Sequence, residues 1–179
     1  MHVPARRVRI RRTHSTPTPA GPDARHPPHG SGEGLTVYTR RRLSVLVVDD
    51  YPDAADALAL LLRLYGHRVT VARTAAEALS VADREPPDAV LLELRLRGID
   101  GWQVARWLRE QARVRDLAPL LLVAVTGCGQ EEDYRRSIAA GIDLHLVKPV
   151  YPHVLRRALA RFAIGLRAMT ARPPEPASC

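Results

Sequence analysis

Five times between residues 43 and 164 a short apolar run is followed by a loop and then by a longer segment whose apolar residues recur at helical spacing. The runs at 44–48, 68–72, 89–92, 120–125 and 144–147 predict strands. The segments at 53–66, 75–84, 101–111, 131–140 and 153–164 predict the helices after them. Thr74 and Glu77 have the spacing of a capping box, and Gly66 and Gly141 stand where helices should stop. Strands alternating with helices of this length imply a parallel α/β sheet covered on both faces. The runs AVLL and LLLVAV are apolar throughout, as central strands of such a sheet should be. Open sheets of this class gather function in the crevice beyond the carboxyl ends of their strands, so the residues just after each strand are the ones that matter.

The flanks contrast with this body. Residues 1–42 hold nine arginines against Asp23 and Glu33, which leaves the remainder of a chain of net charge +8 near neutrality. Residues 13–34 are dominated by Pro, Gly, Ser, Thr and His and cannot bury enough apolar surface to offset the entropy of ordering. The expected organisation is a disordered basic tail over 1–42, one domain over 43–165 and a short disordered tail over 166–179. Two cysteines, Cys128 and Cys179, neither build a disulfide framework nor carry metal-ligand spacing, which points to a reducing, cytoplasmic setting. The apolar stretches fall far short of the ~20 residues of a membrane span.

Four of the five strand ends supply polar or charged groups: Asp49 and Asp50 after the first, Glu93 after the third, Thr126 and Gly127 after the fourth, Lys148 and Pro149 after the fifth. Adjacent carboxylates are hard oxygen ligands suited to Mg²⁺, which keeps several waters and takes few protein ligands. Singly, each has a plainer explanation: an Asp pair caps a helix, and a loop threonine or lysine is solvated. Lys148 stands apart because it is the only lysine among 27 basic residues. A compact ammonium on a flexible stem is not interchangeable with a guanidinium in a tight anionic site.

On these residues the chain resembles the receiver domains of two-component response regulators. VLVVDD (45–50), PDAVLLELRLRGIDG (87–101), VAVTG (123–127) and AGIDLHLVKP (140–149) are similar to that family's signatures in order and spacing, and GQEED (129–133) and HLVKP (145–149) resemble receivers fused to hybrid sensor kinases. The resemblance implies a flavodoxin-like, doubly wound five-stranded sheet in the order 2-1-3-4-5. It implies that Asp49 and Asp50 hold Mg²⁺ with the backbone carbonyl of Arg95, that Thr126 hydrogen-bonds a phosphoryl group, that Lys148 pairs with it, and that Pro149 fixes the loop aiming the lysine. Such chemistry rests on positioning and charge neutralisation.

The central residue departs from the family. Glu93 occupies the place of the phosphoacceptor aspartate, and its extra methylene moves the carboxylate by over ~1 Å, a misplacement that costs about a hundredfold in rate. Three consequences stay open at this point: Glu93 reaches toward Thr126 and Lys148 and holds an active-like state, it pairs with Lys148 and leaves a scaffold without a switch, or it accepts phosphate slowly. His145 stands where the family often has a Tyr or Phe switch residue, and Arg97 replaces the usual proline of a Leu-Pro-Gly turn. Asp100–Gly101 reads as a turn, Cys128 as a loop thiol, and Trp102 and Trp107 as helix residues without assigned function.

The expectation is a stand-alone, non-enzymatic, receiver-like signalling protein. It would act by contact with a sensor histidine kinase, a phosphotransfer protein or a downstream target through residues 133–164, the family's fourth helix, fifth strand and fifth helix. The alternative is salt-dependent nucleic-acid binding through the arginine tail. That tail has Tyr38 as its only aromatic and no recognised motif. A hydrolase reading has no evident nucleophile besides Thr126.

Overall fold

The computed structural model describes residues 41–170. The expected disorder of 1–42, apart from Arg41 and Arg42, and of 171–179 lies outside the described residues. Five parallel strands, β1 (Ser44–Val48), β2 (Arg68–Ala72), β3 (Ala89–Leu92), β6 (Leu121–Thr126) and β7 (Leu144–Val147), form one sheet in the order β2-β1-β3-β6-β7. Counting only these strands, this is the expected 2-1-3-4-5. Helices α1 (Pro52–Leu64), α2 (Ala75–Arg84), α3 (Gly101–Val114), α4 (Glu131–Ala139) and α5 (Pro152–Thr170) make the crossovers.

Alternate residues of each central strand feed different layers. Leu46, Val48, Val90, Leu92, Leu122 and Ala124 pack with α2 and α3, while Val45, Val47, Ala89, Leu91, Val123 and Val125 pack with α1 and α5. Because both faces are buried, the two-residue period shows as a continuous apolar run. The expected capping box forms with a shift of one residue. Thr74 Oγ1 accepts from the Glu77 amide at 3.1 Å, while Glu77 Oε2 accepts from the amide of Arg73 at 2.8 Å. Gly66 ends α1 at φ +89°, in the left-handed region that glycine enters without a Cβ penalty.

Among the differences from expectation, three stand out. Helix α5 runs to Thr170, beyond the expected domain limit at 165, because Leu166 continues the buried stripe of Leu155, Leu159 and Ala163. Strand β6 extends to Thr126, which carries that hydroxyl into the interior. Between β3 and α3 lies a hairpin of β4 (Arg95–Leu96) and β5 (Ile99–Asp100), too short for any periodicity to reveal. Asp100–Gly101 is therefore the junction of β5 and α3, with Asp100 Oδ1 capping the helix by accepting from the Trp102 amide at 2.8 Å.

At that junction the hairpin returns against the segment it left. A Cβ built on Gly101 would lie 2.5 Å from Cα of Leu94 and 2.7 Å from the carbonyl oxygen of Glu93. No side chain fits between these two backbones. Gly101→Ala is expected to cost about 1–3 kcal/mol in urea unfolding through overpacking, and to shift the backbone amide resonances of Glu93 and Leu94. Full stability with unchanged resonances would show that the two segments are not fixed against each other.

Candidate functional site at the strand ends

The parallel sheet carries Asp49, Glu93, Thr126 and Lys148 to one edge, since each ends or directly follows one of four strands. Asp49, Glu93 and Thr126 are all buried. Burying carboxylates without partners would be costly, and hydrogen bonds account for both oxygens of Asp49 and of Glu93. Glu93 Oε1 accepts from the amides of Leu94 at 2.7 Å and Arg95 at 3.0 Å and from the Thr126 hydroxyl at 2.5 Å. Glu93 Oε2 accepts from Lys148 Nζ at 2.9 Å. The same ammonium donates to Asp49 Oδ2 at 2.8 Å, and Asp49 Oδ1 accepts from the Tyr51 amide at 2.9 Å.

Lys148 reaches this position because its own amide donates to the Thr126 carbonyl at 2.8 Å, extending the β6–β7 ladder by one bond. The Lys148–Pro149 peptide bond is cis. Thr126 Oγ1 also accepts from the Cys128 amide at 3.2 Å, so its hydroxyl proton is free for Glu93.

Asp50 is bound differently. Its Oδ2 accepts from the amide of Arg97 at 3.2 Å and pairs with the Arg97 guanidinium at 3.2 Å, while Oδ1 is buried without a donor among the described residues. A proline at position 97 has no N–H to give, so the departure from the expected Leu-Pro-Gly turn makes this bond possible. The orphaned Oδ1 fits a ligand to a hydrated Mg²⁺ ion. Asp49 offers its Oδ2 only in exchange for Lys148, and among the described residues no group of three or more His, Cys, Asp or Glu side chains is arranged to hold a metal.

Three residues given no role from the sequence join the site from behind. Cys128 is buried rather than a free loop thiol. Its Sγ accepts from Arg95 Nε at 3.0 Å and its carbonyl oxygen lies 2.8 Å from His145 Nε2. On the other side of the imidazole, Nδ1 lies 2.8 Å from the Ser137 hydroxyl, which accepts from Trp102 Nε1 at 2.9 Å. A carbonyl only accepts, so His145 Nε2 donates to it, and on the neutral ring Nδ1 accepts from Ser137. The chain of bonds Trp102 to Ser137 to His145 to Cys128 thus has one consistent direction. His145 also lies against the Tyr134 ring with centroids 4.4 Å apart.

The sequence places this geometry among known proteins. The family model for the response regulator receiver domain matches residues 45–160. The chain belongs to the response regulator receiver family. An uncharacterized 14.6 kDa protein of Leptolyngbya boryana is 33% identical over 129 residues, covering 72% of this chain and 96% of its own. Protein PilH of Pseudomonas aeruginosa is 30% identical over 121 residues, covering 68% of this chain and 98% of its own. The transcriptional regulatory protein AfsQ1 of Streptomyces coelicolor is 32% identical over 112 residues, and the chain spans only about half of its length, 47%. Among solved structures, the CheY-like receiver domain protein of Methanospirillum hungatei superposes with a TM-score of 0.65 at 23% identity, covering 72% of this chain and 98% of its own, a likeness of fold.

In this receiver, burial pushes the Glu93 carboxyl up, but the Arg95 amide, the Thr126 hydroxyl and the Lys148 ammonium outweigh burial and hold its pKa below the ordinary value. Burial likewise pushes Lys148 down, and hydrogen bonds and charge from Asp49 and Glu93 reverse it and raise its pKa. A lowered carboxylate stabilises the fold above its unfolded pKa of about 4.3, and that contribution is lost as pH falls through the folded value. A raised lysine stabilises below about 10.4, and that contribution is lost as pH rises through its folded value. Lys148→Ala leaves Glu93 and Asp49 facing each other and is expected to cost about 2 kcal/mol at neutral pH, with the deficit shrinking once Glu93 takes up a proton in acid. Urea unfolding of both proteins as a function of pH measures this, and a deficit that is constant into acid would contradict the pairing.

Proposed function

We propose that this chain is a stand-alone receiver whose signalling arrangement is set by the Glu93 carboxylate rather than by an acyl phosphate. The observation that carries the reading is the set of four donors on that one side chain: the Leu94 and Arg95 amides, the Thr126 hydroxyl and the Lys148 ammonium. In the family that Thr126 and Lys148 resemble, these groups would receive a phosphoryl group. Here glutamate's extra methylene carries a carboxylate to them directly.

A nucleophile must have an oxygen free to attack phosphorus, and Glu93 has both oxygens bonded within the site. Turning one outward breaks contacts with Thr126 or Lys148 in a buried setting, which adds to the barrier. Mg²⁺, where bound by Asp49, Asp50 and the Arg95 carbonyl, supplies charge neutralisation at the mouth of the site. Phosphoryl transfer is not what that charge serves in the native chain. Thr126 and Lys148 instead orient the Glu93 carboxylate, and the Cys128 amide orients Thr126.

The alternative in which Glu93 merely pairs with Lys148 leaves Thr126 and His145 unconstrained. Two contacts favour the held arrangement over it: Thr126 turns to Glu93, and His145 points inward to Ser137 and the Cys128 carbonyl. Receivers work through histidine kinases, phosphotransfer proteins and downstream targets, and the reading places such contacts on α4, β7 and α5, in a cytoplasmic, non-enzymatic protein. No helix among the described residues is long and apolar enough to cross a membrane.

Intact-mass measurement after treatment with acetyl phosphate and Mg²⁺ tests the central statement. The native chain is expected to gain no phosphoryl adduct, whereas Glu93→Asp gains one, its carboxylate bonding to phosphorus as acetate leaves. An adduct formed as readily on the native chain would overturn the reading, and an adduct on neither would mean that the site has lost phosphotransfer beyond this residue.

A second prediction follows from the bonds behind the site. Ser137→Ala leaves the buried Trp102 N–H and His145 Nδ1 without partners and is expected to cost about 1–3 kcal/mol. It should also release the His145 ring from Tyr134, visible as changed imidazole resonances and side-chain order. Glu93→Asp without phosphate should loosen the same ring, and acetyl phosphate with Mg²⁺ should restore it. Imidazole resonances of Glu93→Asp identical to those of the native chain in every condition would disconnect the ring from Glu93.

A further inference from the structure

Of the carboxylate oxygens of Asp49, Asp50 and Glu93, Oδ1 of Asp50 alone lacks a donor among the described residues, although the Asp50 side chain is only 8% exposed. A buried carboxylate with an open oxygen calls for a cation, and the chain places one beside it. Arg97 Nε lies 3.2 Å from Asp50 Oδ2, and the Arg97 amide donates to that same oxygen at 3.2 Å. The guanidinium thus answers the charge of Asp50 while leaving Oδ1 uncoordinated.

Two features keep Arg97 there. It begins the two-residue turn between β4 and β5, and the close approach of Gly101 to Leu94 fixes the return of that hairpin, so the arginine is tethered next to Asp50. Its guanidinium also lies over the Tyr51 ring, 5.8 Å from the centroid, while the Tyr51 amide donates to Asp49 Oδ1 at 2.9 Å. A cation on so short a tether competes at high effective concentration with one drawn from solution. On the other side Lys148 Nζ holds Asp49 Oδ2 at 2.8 Å and Glu93 Oε2 at 2.9 Å. A divalent ion approaching Asp50 Oδ1 therefore meets two positive charges. Arg97, with its side chain 79% exposed, is the one whose removal leaves the bonds to Glu93 intact.

We propose that Arg97 is a tethered counter-ion that takes the electrostatic place of a divalent ion at Asp50 and so sets the divalent affinity of the strand-end site. This rests on the reading of Asp49, Asp50 and the Arg95 carbonyl as that ion's ligands, and adds a residue of this chain that opposes it. Repulsion between a single and a double positive charge at roughly 5 Å in high dielectric amounts to about tenfold in affinity, and salt screens it. With its acids answered from within, the site keeps the Glu93 arrangement without waiting on Mg²⁺.

The test titrates the full chain with MgCl₂ by calorimetry and locates the ion with Mn²⁺ through paramagnetic broadening of amide resonances. Arg97→Ala removes the guanidinium and keeps the N–H, and is expected to bind Mg²⁺ about tenfold more tightly than the native chain, with broadening at Asp49, Asp50 and Arg95. The gain should shrink as KCl is raised. Arg97→Lys, which keeps the charge, should stay near the native affinity, and Arg106→Ala, the same change of charge at an exposed position of α3, should gain little. Arg97→Ala binding no more tightly than the native chain, an equal gain in Arg97→Lys or in Arg106→Ala, or broadening centred away from Asp49 and Asp50 would each overturn the proposal. Repeating the titrations in a Glu93→Asp background separates the two readings. If the gain appears in both backgrounds while the native chain accepts a phosphoryl group from acetyl phosphate, the role given to Glu93 falls and that of Arg97 stands. If the gain appears in neither while only Glu93→Asp accepts the group, the role of Arg97 falls and that of Glu93 stands.

Discussion

One carboxylate holds the strand-end site together. Glu93 collects two adjacent backbone amides, a hydroxyl and an ammonium from three places in the chain, and the hydroxyl, the ammonium and Glu93 itself are each fixed by further bonds. Thr126 is held by the Cys128 amide, Lys148 by the Thr126 carbonyl and by Asp49, and the Glu93 amide by the Val48 carbonyl of β1. Such a network tolerates burial because both oxygens of Glu93 and of Asp49 have donors. It also explains why glutamate does not act here as a lengthened aspartate. With aspartate at 93, the carboxylate would stop short of Thr126 and leave room for a phosphoryl group, whereas the added methylene fills that room.

The network extends to α4, and there the packing is unusual. Helices α1, α2, α3 and α5 are anchored by buried apolar side chains, but the buried residue of α4 is Ser137, with Tyr134 and Ile138 turned toward solvent. The serine is held by Trp102 from α3 and bonded to His145 from β7. Arg136 adds to this attachment, lying over the Trp102 ring at 3.7 Å while pairing with Asp100. An element docked by hydrogen bonds and partly solvated ion pairs changes position at less cost than one docked by an apolar stripe. The weakest-anchored helix thus belongs to the face on which partner contacts are proposed, and the bond holding it runs back through His145 and Cys128 to Thr126.

The sheet and its helices were legible in the sequence because their signals are long and collective. Buried strands show as apolar runs, and the strand-end acids, threonine and lysine fall at the same place in successive units. What escaped was short or tertiary. The β4–β5 hairpin has two residues in each strand, below any periodicity, and only the Gly101 contact with Leu94 shows why it must close. Ser137 carries no local signal of burial, since only Trp102 from α3 and His145 from β7 supply the partners that let a serine be the buried residue of α4. Cys128 read as a loop thiol because nothing local says that Arg95 will cover it.

Arg97 is a departure from the family pattern whose meaning lies in its tertiary contacts. From the sequence it is a lost proline in a turn. In the structure its restored N–H and its guanidinium both meet Oδ2 of Asp50, so one oxygen of the pair that would face a metal is already answered by the protein. With Lys148 on Asp49, the chain itself supplies cationic partners to both aspartates. The charge that an ordinary receiver takes from a divalent ion is partly built in, which fits a site arranged around a permanent carboxylate rather than one awaiting a transferred phosphoryl group.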